Sequence, residues 1–256
     1  ILTECLILML YRSMQRQGLI FNKPSPSSYT INVLLVIFLL LFANCVRIIT
    51  KGTTPAMYVI SHIVVLIIYI GILVSWGMSV YDRIVHKSIR RYLVILMGLM
   101  MFWMLMRTLR HTVFLHVFPV GQWCWYAYYI PMILIPQFCF LAMKYVGKPE
   151  DYHMPKIWHI INIPSVILIL GILTNDLHQW AFRFHQGYVA GWDVYQRGFL
   201  YNAAVVWIFI CIAMMLTEVI KNCRVPGTHK VIWRPIAMLG IGVLYTVLYT
   251  IDTDLF

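Results

Sequence analysis

The chain has 256 residues, of which 61% are hydrophobic and only 11% charged, with a mean hydropathy of +0.79. A soluble domain has about a quarter of its residues charged, so this composition marks an integral membrane protein. The formal charge of +11 does not point to nucleic acid, because the basic residues cluster between apolar runs, where they set membrane orientation.

The first apolar run, about 1–10, is short and carries Glu4, which suits a clipped segment or an interfacial turn better than a span. A crossing needs about 20 apolar residues. Seven runs meet that length: about 31–50, 57–80, 92–118, 123–146, 157–173, 198–220 and 235–251. The expected fold is all-α, a polytopic transmembrane helical bundle with seven visible spans, without an internal repeat.

Lys and Arg divide unevenly between the two sides of such a bundle. One side holds fourteen: Arg12, Arg16, Lys23, Arg83, Lys87, Arg90, Arg91, Lys144, Lys148, Lys156, Lys221, Arg224, Lys230 and Arg234. The other holds four, Arg47, Lys51, Arg183 and Arg197. The basic side is cytoplasmic by the positive-inside rule. Residues 1–30 are then a cytoplasmic segment, 31–256 the bundle, and the longest connection, about 174–197, lies outside.

The third run carries the costliest residues. MLMRTLRHTVFLHVF, Met104 to Phe118, contains Arg107, Arg110, His111 and His116. A charge at mid-membrane costs about 2.5–3.5 kcal/mol or more, so such a group needs compensation. Arg107 and His111, four apart, share a helix face, with Arg110 one step away. Two readings stand open. These side chains snorkel to the interface or pair with Asn162, Asn175 or Asp176; or they form the cationic floor of an outward pocket for a carboxylate or phosphate.

In the fourth run IPMILIP, Ile130 to Pro136, places two prolines five apart, and NIPS, Asn162 to Ser165, repeats the device in the fifth. Both should kink their helices, which membranes tolerate when neighbours satisfy the freed carbonyls. The connection TNDLHQWAFRFHQGYVAGWDVYQR contains Trp180, Phe182, Phe184, Tyr188, Trp192 and Tyr195 with His178 and His185. It suits an interfacial aromatic belt, and the alternation in WAFRFH also suits a short hairpin capping the bundle.

Several chemistries lack their residues. Six scattered cysteines show no C-x-x-C spacing and read as small hydrophobes. The closest histidine pairs, His111 with His116 and His153 with His159, are not at i, i+4 and fall on opposite sides, so no metal site is expected. The late runs hold no lysine for a retinal Schiff base, and all nine acids lie near loops or span ends, Asp82 and Glu218 approaching the membrane closest. No nucleotide-binding, kinase or hydrolase motif occurs, so no catalytic residue and no cofactor are expected here.

From Trp123 onward the chain resembles the N-terminal seven-transmembrane region of bacterial sensor histidine kinases. The resemblance rests on YYIPMILIPQFCFLAMKYVGKPE (Tyr128 to Glu150), on IPSVILILGILTNDLHQWAF (Ile163 to Phe182) and on RGFLYNAAVVWIFICIAMMLTEVIKNCRVP (Arg197 to Pro226). The external end of the second stretch fits the family's Leu-Thr-Asn-x-Leu-His pattern at Leu173, Thr174, Asn175, Leu177 and His178. Asp176 stands where many members have proline. The resemblance implies a receptor module of the bacterial cytoplasmic membrane, passing a signal to a cytoplasmic output domain in the same polypeptide. The family's unit would begin at the run 57–80, with 31–50 an added leading helix and an eighth span expected beyond Phe256.

The expected function is therefore that of a sensor binding a small ligand from outside and relaying a helix rearrangement, with a homodimer allowed. The ligand-binding candidates are Arg107, Arg110, His111, Asn175, Asp176, His178 and Trp180. The alternative is a small-solute transporter or facilitator, which inverted repeats and broken helices would favour.

Overall fold

The computed structural model describes residues 26–50, 54–84, 86–114, 117–146, 148–184 and 195–222. Long helices come first: α1 (Pro26–Thr50), α2 (Pro55–Arg83) and α3 (Lys87–Thr112). Then follow α4 (Phe118–Ala127) and α5 (Tyr129–Met143), a 3-10 turn (Lys156–Ile161) and α6 (Asn162–Leu173). The connection to the last helix holds α7 (Asn175–His178) and an antiparallel hairpin of β1 (Phe182–Phe184) and β2 (Tyr195–Arg197), and α8 (Phe199–Asn222) completes the described chain.

Five helical stretches among the described residues are long and apolar enough to cross a membrane: Ala56–Tyr81, Lys87–Thr112, Val120–Met143, Lys156–Leu173 and Phe199–Lys221. The expected run 31–50 falls within α1, which starts earlier, at Pro26, and carries its apolar part at Leu34–Thr50. The run 235–251 lies outside the described residues. The described residues are mostly helical, as expected of a helical bundle, and the connection before α8 holds a short hairpin of the kind WAFRFH suits, in which Phe182 pairs with Arg197, Arg183 with Gln196 and Phe184 with Tyr195.

Proline sets three boundaries. The third run was expected to continue to 118, yet α3 ends at Thr112 and Pro119 occupies the first turn of α4, where its missing N–H costs nothing. The fourth run is two helices because Pro131 has no N–H to offer the Ala127 carbonyl. The chain tightens there, Tyr128 N–H donating to the Trp125 carbonyl at 3.1 Å, and resumes as α5. Pro136 sits inside α5 without ending it. The fifth run begins as the 3-10 turn after Pro155 and becomes α6 with Pro164 in its first turn.

Successive long helices alternate in direction. The starts of α2, α4 and α8 share one end with the close of α3 and α6; the hairpin marks it. At the other, basic end lie Lys87, Arg90, Lys144 and Lys221. α5 is the central strut, with eleven of its fifteen residues buried. It joins two cores. Toward the hairpin, Tyr129 and Ile133 pack with Trp125, Tyr126, Leu168, Ile172, Phe182 and Leu200. Toward the basic end, Cys139, Phe140 and Met143 pack with Leu93, Leu96, Met215 and Val219.

Between the cores runs a polar chain. Trp207 of α8 donates its indole N–H to Ser165 Oγ of α6 at 2.8 Å, Ser165 donates to Gln137 Oε1 of α5, and Gln137 donates to Asn162 Oδ1. Gln137 and Ser165 are fully buried. Each donor finds an acceptor, as buried polar groups in an apolar medium must.

Candidate functional site

The polar and aromatic groups of the hairpin end form one connected constellation, built outward from Asn175. Thr174 closes α6, its hydroxyl donating to the Leu170 carbonyl at 2.8 Å. The single turn of α7 then ends at Gln179, whose φ of 55° reverses the chain. That reversal brings Ala181 and Phe182 back over Asn175, whose Oδ1 accepts both of their backbone N–H groups at 2.9 Å. Its Nδ2 donates to the Phe182 carbonyl at 3.0 Å and to Tyr126 Oη at 3.1 Å. Asn175 is completely buried, and all four of its hydrogen-bonding positions are taken by the chain itself.

Tyr126 is the second hub. Its hydroxyl donates to Asp176 Oδ1 at 2.8 Å while accepting from Asn175 and from Gln122 Nε2. Gln122 also donates to Asp176 Oδ1, at 2.9 Å. Gln122 and Tyr126 are four apart, so one face of α4 presents both to the turn. Asp176 is thereby tethered by one oxygen, though the residue as a whole is exposed.

His178 belongs to the turn as well. Its Nδ1 accepts the Trp180 backbone N–H at 3.0 Å, its Nε2 lies 3.4 Å from Thr174 Oγ1, and its ring lies against the Trp180 indole at 4.8 Å, tilted by 38°. Trp180 is 59% exposed and forms the outer wall of this turn. Behind it the backbone is closely seated: Gly198 N–H donates to the Ala181 carbonyl at 2.8 Å, and a Cβ at Gly198 would fall 2.1 Å from the Trp180 carbonyl oxygen. Only glycine permits that approach.

The three basic candidates lie at the close of α3. Arg110 and His111 occupy its last turn, where cations complement the helix dipole. Arg107 is exposed and only five residues from the helix end, about 7–8 Å along the axis, within reach of the interface. Arg110 lies over the Trp125 ring at 5.7 Å and the Tyr128 ring at 5.9 Å. Tyr128 is itself half-buried, with its hydroxyl oxygen shielded from solvent. His111 faces His62 of α2, ring centroids 5.8 Å apart, and His62 Nδ1 is 3.0 Å from the Tyr58 carbonyl.

Trp125 ties the two groups together. Beneath Arg110, it contacts Phe182 at 4.5 Å and Tyr195 at 4.8 Å, one residue from each strand of the hairpin. Arg197 of β2 lies over Tyr201 in the first turn of α8, at 5.2 Å. The end of α3, the α6–α7 turn, the hairpin and the start of α8 thus meet through α4. Asn162, a suggested partner for the arginines, instead accepts from Gln137 deeper in the bundle. His116, and His185, Tyr188 and Trp192 of the connection, lie outside the described residues.

Gln122, Tyr126 and Trp125 do not stand out in the sequence. Within QWCWYAYY nothing distinguishes a hub tyrosine from an interfacial one; only the four-residue spacing of Gln122 and Tyr126 offers a signal. No group of three or more metal-ligating side chains occurs among the described residues.

Five helices among the described residues that are long and apolar enough to cross a membrane, closed at one end by aromatic and hydrogen-bonded contacts that fasten the α6–α7 turn to α4, define a multi-pass membrane protein. The family described as the N-terminal 7TM region of histidine kinase matches residues 59–251, well over half of the chain, and the chain belongs to that family. It is accordingly a sensor module of the kind found in signalling proteins. The match reaches back through α3 and nearly all of α2 and leaves the whole of α1 before it. No curated protein and no solved structure matches the chain.

Proposed function

We propose that the hairpin end faces outward and senses a small anionic ligand, and that α8 carries the resulting rearrangement to a cytoplasmic output domain such as a histidine kinase. The observation that carries this reading is the meeting, at one end, of two arginines, an interlocked polar turn and the first residues of α8, in a chain of the histidine-kinase 7TM family.

The residues divide the work. Arg107, Arg110 and His111 supply the cationic contacts, Arg110 with its guanidinium spread over the π faces of Trp125 and Tyr128. Trp180 gives an exposed aromatic wall, and Asp176, with one oxygen tethered, offers a polar contact at the rim. Asn175 and His178 act one step back, by fixing the turn that presents Trp180 and Asp176. A ligand that binds one arrangement of α3, the hairpin and α8 better than another shifts their balance by that difference in affinity.

A panel of small carboxylates and organic phosphates, screened by thermal shift on the protein in detergent, should contain a member that raises the melting temperature. In a variant carrying both Arg107→Leu and Arg110→Leu that rise should vanish while membrane insertion is kept. A panel without any response, or an undiminished response in the double variant, contradicts the proposed site.

A further inference from the structure

We propose that Glu218 is the shared carboxylate of a releasable latch at the basic end of α8, passing between a lysine on another helix and a lysine on its own. The role in signalling rests on the reading of α8 as the output helix; the latch itself rests on geometry alone. Lys144, in the turn that ends α5, places Nζ 2.8 Å from Glu218 Oε1, and both side chains are only 14% exposed. The same oxygen lies 3.2 Å from Nζ of Lys221, one turn further along α8 and 59% exposed. One carboxylate oxygen therefore serves two cations that differ in what they hold. The Lys144 bond ties α8 to α5; the Lys221 bond ties α8 only to itself.

Breaking a partly buried ion pair is ordinarily expensive because a charge is left without a partner. Here neither charge would be. Released from Lys144, Glu218 keeps Lys221. Released from Glu218, Lys144 keeps the face of Trp158, with Nζ 3.8 Å from the ring centroid, and that of Phe140 at 5.3 Å. Release gives up one ion pair while leaving neither charge without a partner, and it changes whether α8 is held, as a coupling element with two arrangements requires. α8 is also fastened by Trp207 to Ser165 in mid-bundle and by Tyr201 against Tyr129 and Phe182, contacts made by neutral groups.

The latch is tested with the full chain in lipid nanodiscs, native cysteines replaced by alanine, and spin labels on Lys148→Cys and Ile220→Cys. Pulsed electron resonance then reports the distance between the α5 and α8 ends. Lys144→Met should deplete the short-distance population, and Lys221→Met should enrich it, since Glu218 then has Lys144 alone. The exchanged pair Lys144→Glu with Glu218→Lys should restore the short population, which misfolding could not do. If Lys221→Met leaves the distribution unchanged, the pair is a fixed brace and the latch is overturned; no change in Lys144→Met overturns it equally. If the two variants move distances in opposite directions while the output activity of the whole protein stays constant, the latch stands and the reading of α8 as output helix fails.

Discussion

Asn175 shows how much one buried amide can organise. It satisfies two backbone N–H groups and one carbonyl of the returning chain and reaches α4 through Tyr126. Asn175→Ala would leave those groups buried without partners, at a net cost of about 2–4 kcal/mol, given about 1–3 kcal/mol for a single orphaned buried group. Thermal unfolding in detergent should show a clear fall in melting temperature; a shift within error would contradict the bracing role. Asn175→Asp should fall nearly as far, because a carboxylate cannot donate to Phe182 and Tyr126. Asn175 and His178 stood out in the sequence because polar groups at the exit of an apolar helix are conspicuous. Tyr126 did not, because its significance comes from a partner fifty positions away, and no local pattern encodes that pairing.

At the scale of elements, boundaries followed local chemistry that the sequence states openly, but not where hydropathy alone would put them. Hydropathy runs through Thr112, Phe118 and Tyr128 without a break, yet α3 ends at Thr112, α4 starts with Pro119 in its first turn, and the helix breaks at Tyr128 because Pro131 lacks a donor. That shift changes the meaning of Arg110 and His111, which lie in a terminal turn and not along the wall of a longer span. The hairpin was legible in the alternation of WAFRFH, whereas its seat was not: Gly198 admits the Trp180 carbonyl at a distance no Cβ could tolerate. Gly198→Ala should therefore displace the hairpin from α8. Because the obstacle is backbone, limited proteolysis should cut the 181–197 region at least several times faster than in the parent; equal protection would contradict the close seating.

At the scale of the whole molecule, the helix alternation was readable from charge and length, because each apolar run must cross and return. What joins the two ends was not readable, since the hydrogen-bonded partners among Trp207, Ser165, Gln137 and Asn162 are 25 to 42 positions apart and resemble ordinary members of apolar helices. Their chain lies between the two cores and links α8 to α5 and α6. Ser165→Ala orphans the Trp207 indole N–H and Gln137 Oε1, with an expected cost of about 1–2 kcal/mol, typical of hydrogen bonds between membrane helices. Ser165→Thr, which keeps the hydroxyl, should retain more stability than Ser165→Ala; the reverse order in thermal unfolding would argue against the chain.

That the hairpin end faces outward is the claim on which sensing from outside and coupling through α8 both depend, and labelling tests it most directly. In a background with the native cysteines replaced by alanine, single cysteines are placed at exposed Arg183 of β1 and exposed Lys148 after α5. A membrane-impermeant maleimide applied to intact cells should label Arg183→Cys, and Lys148→Cys only after permeabilisation. Labelling of Lys148→Cys in intact cells with Arg183→Cys protected would contradict outward sensing.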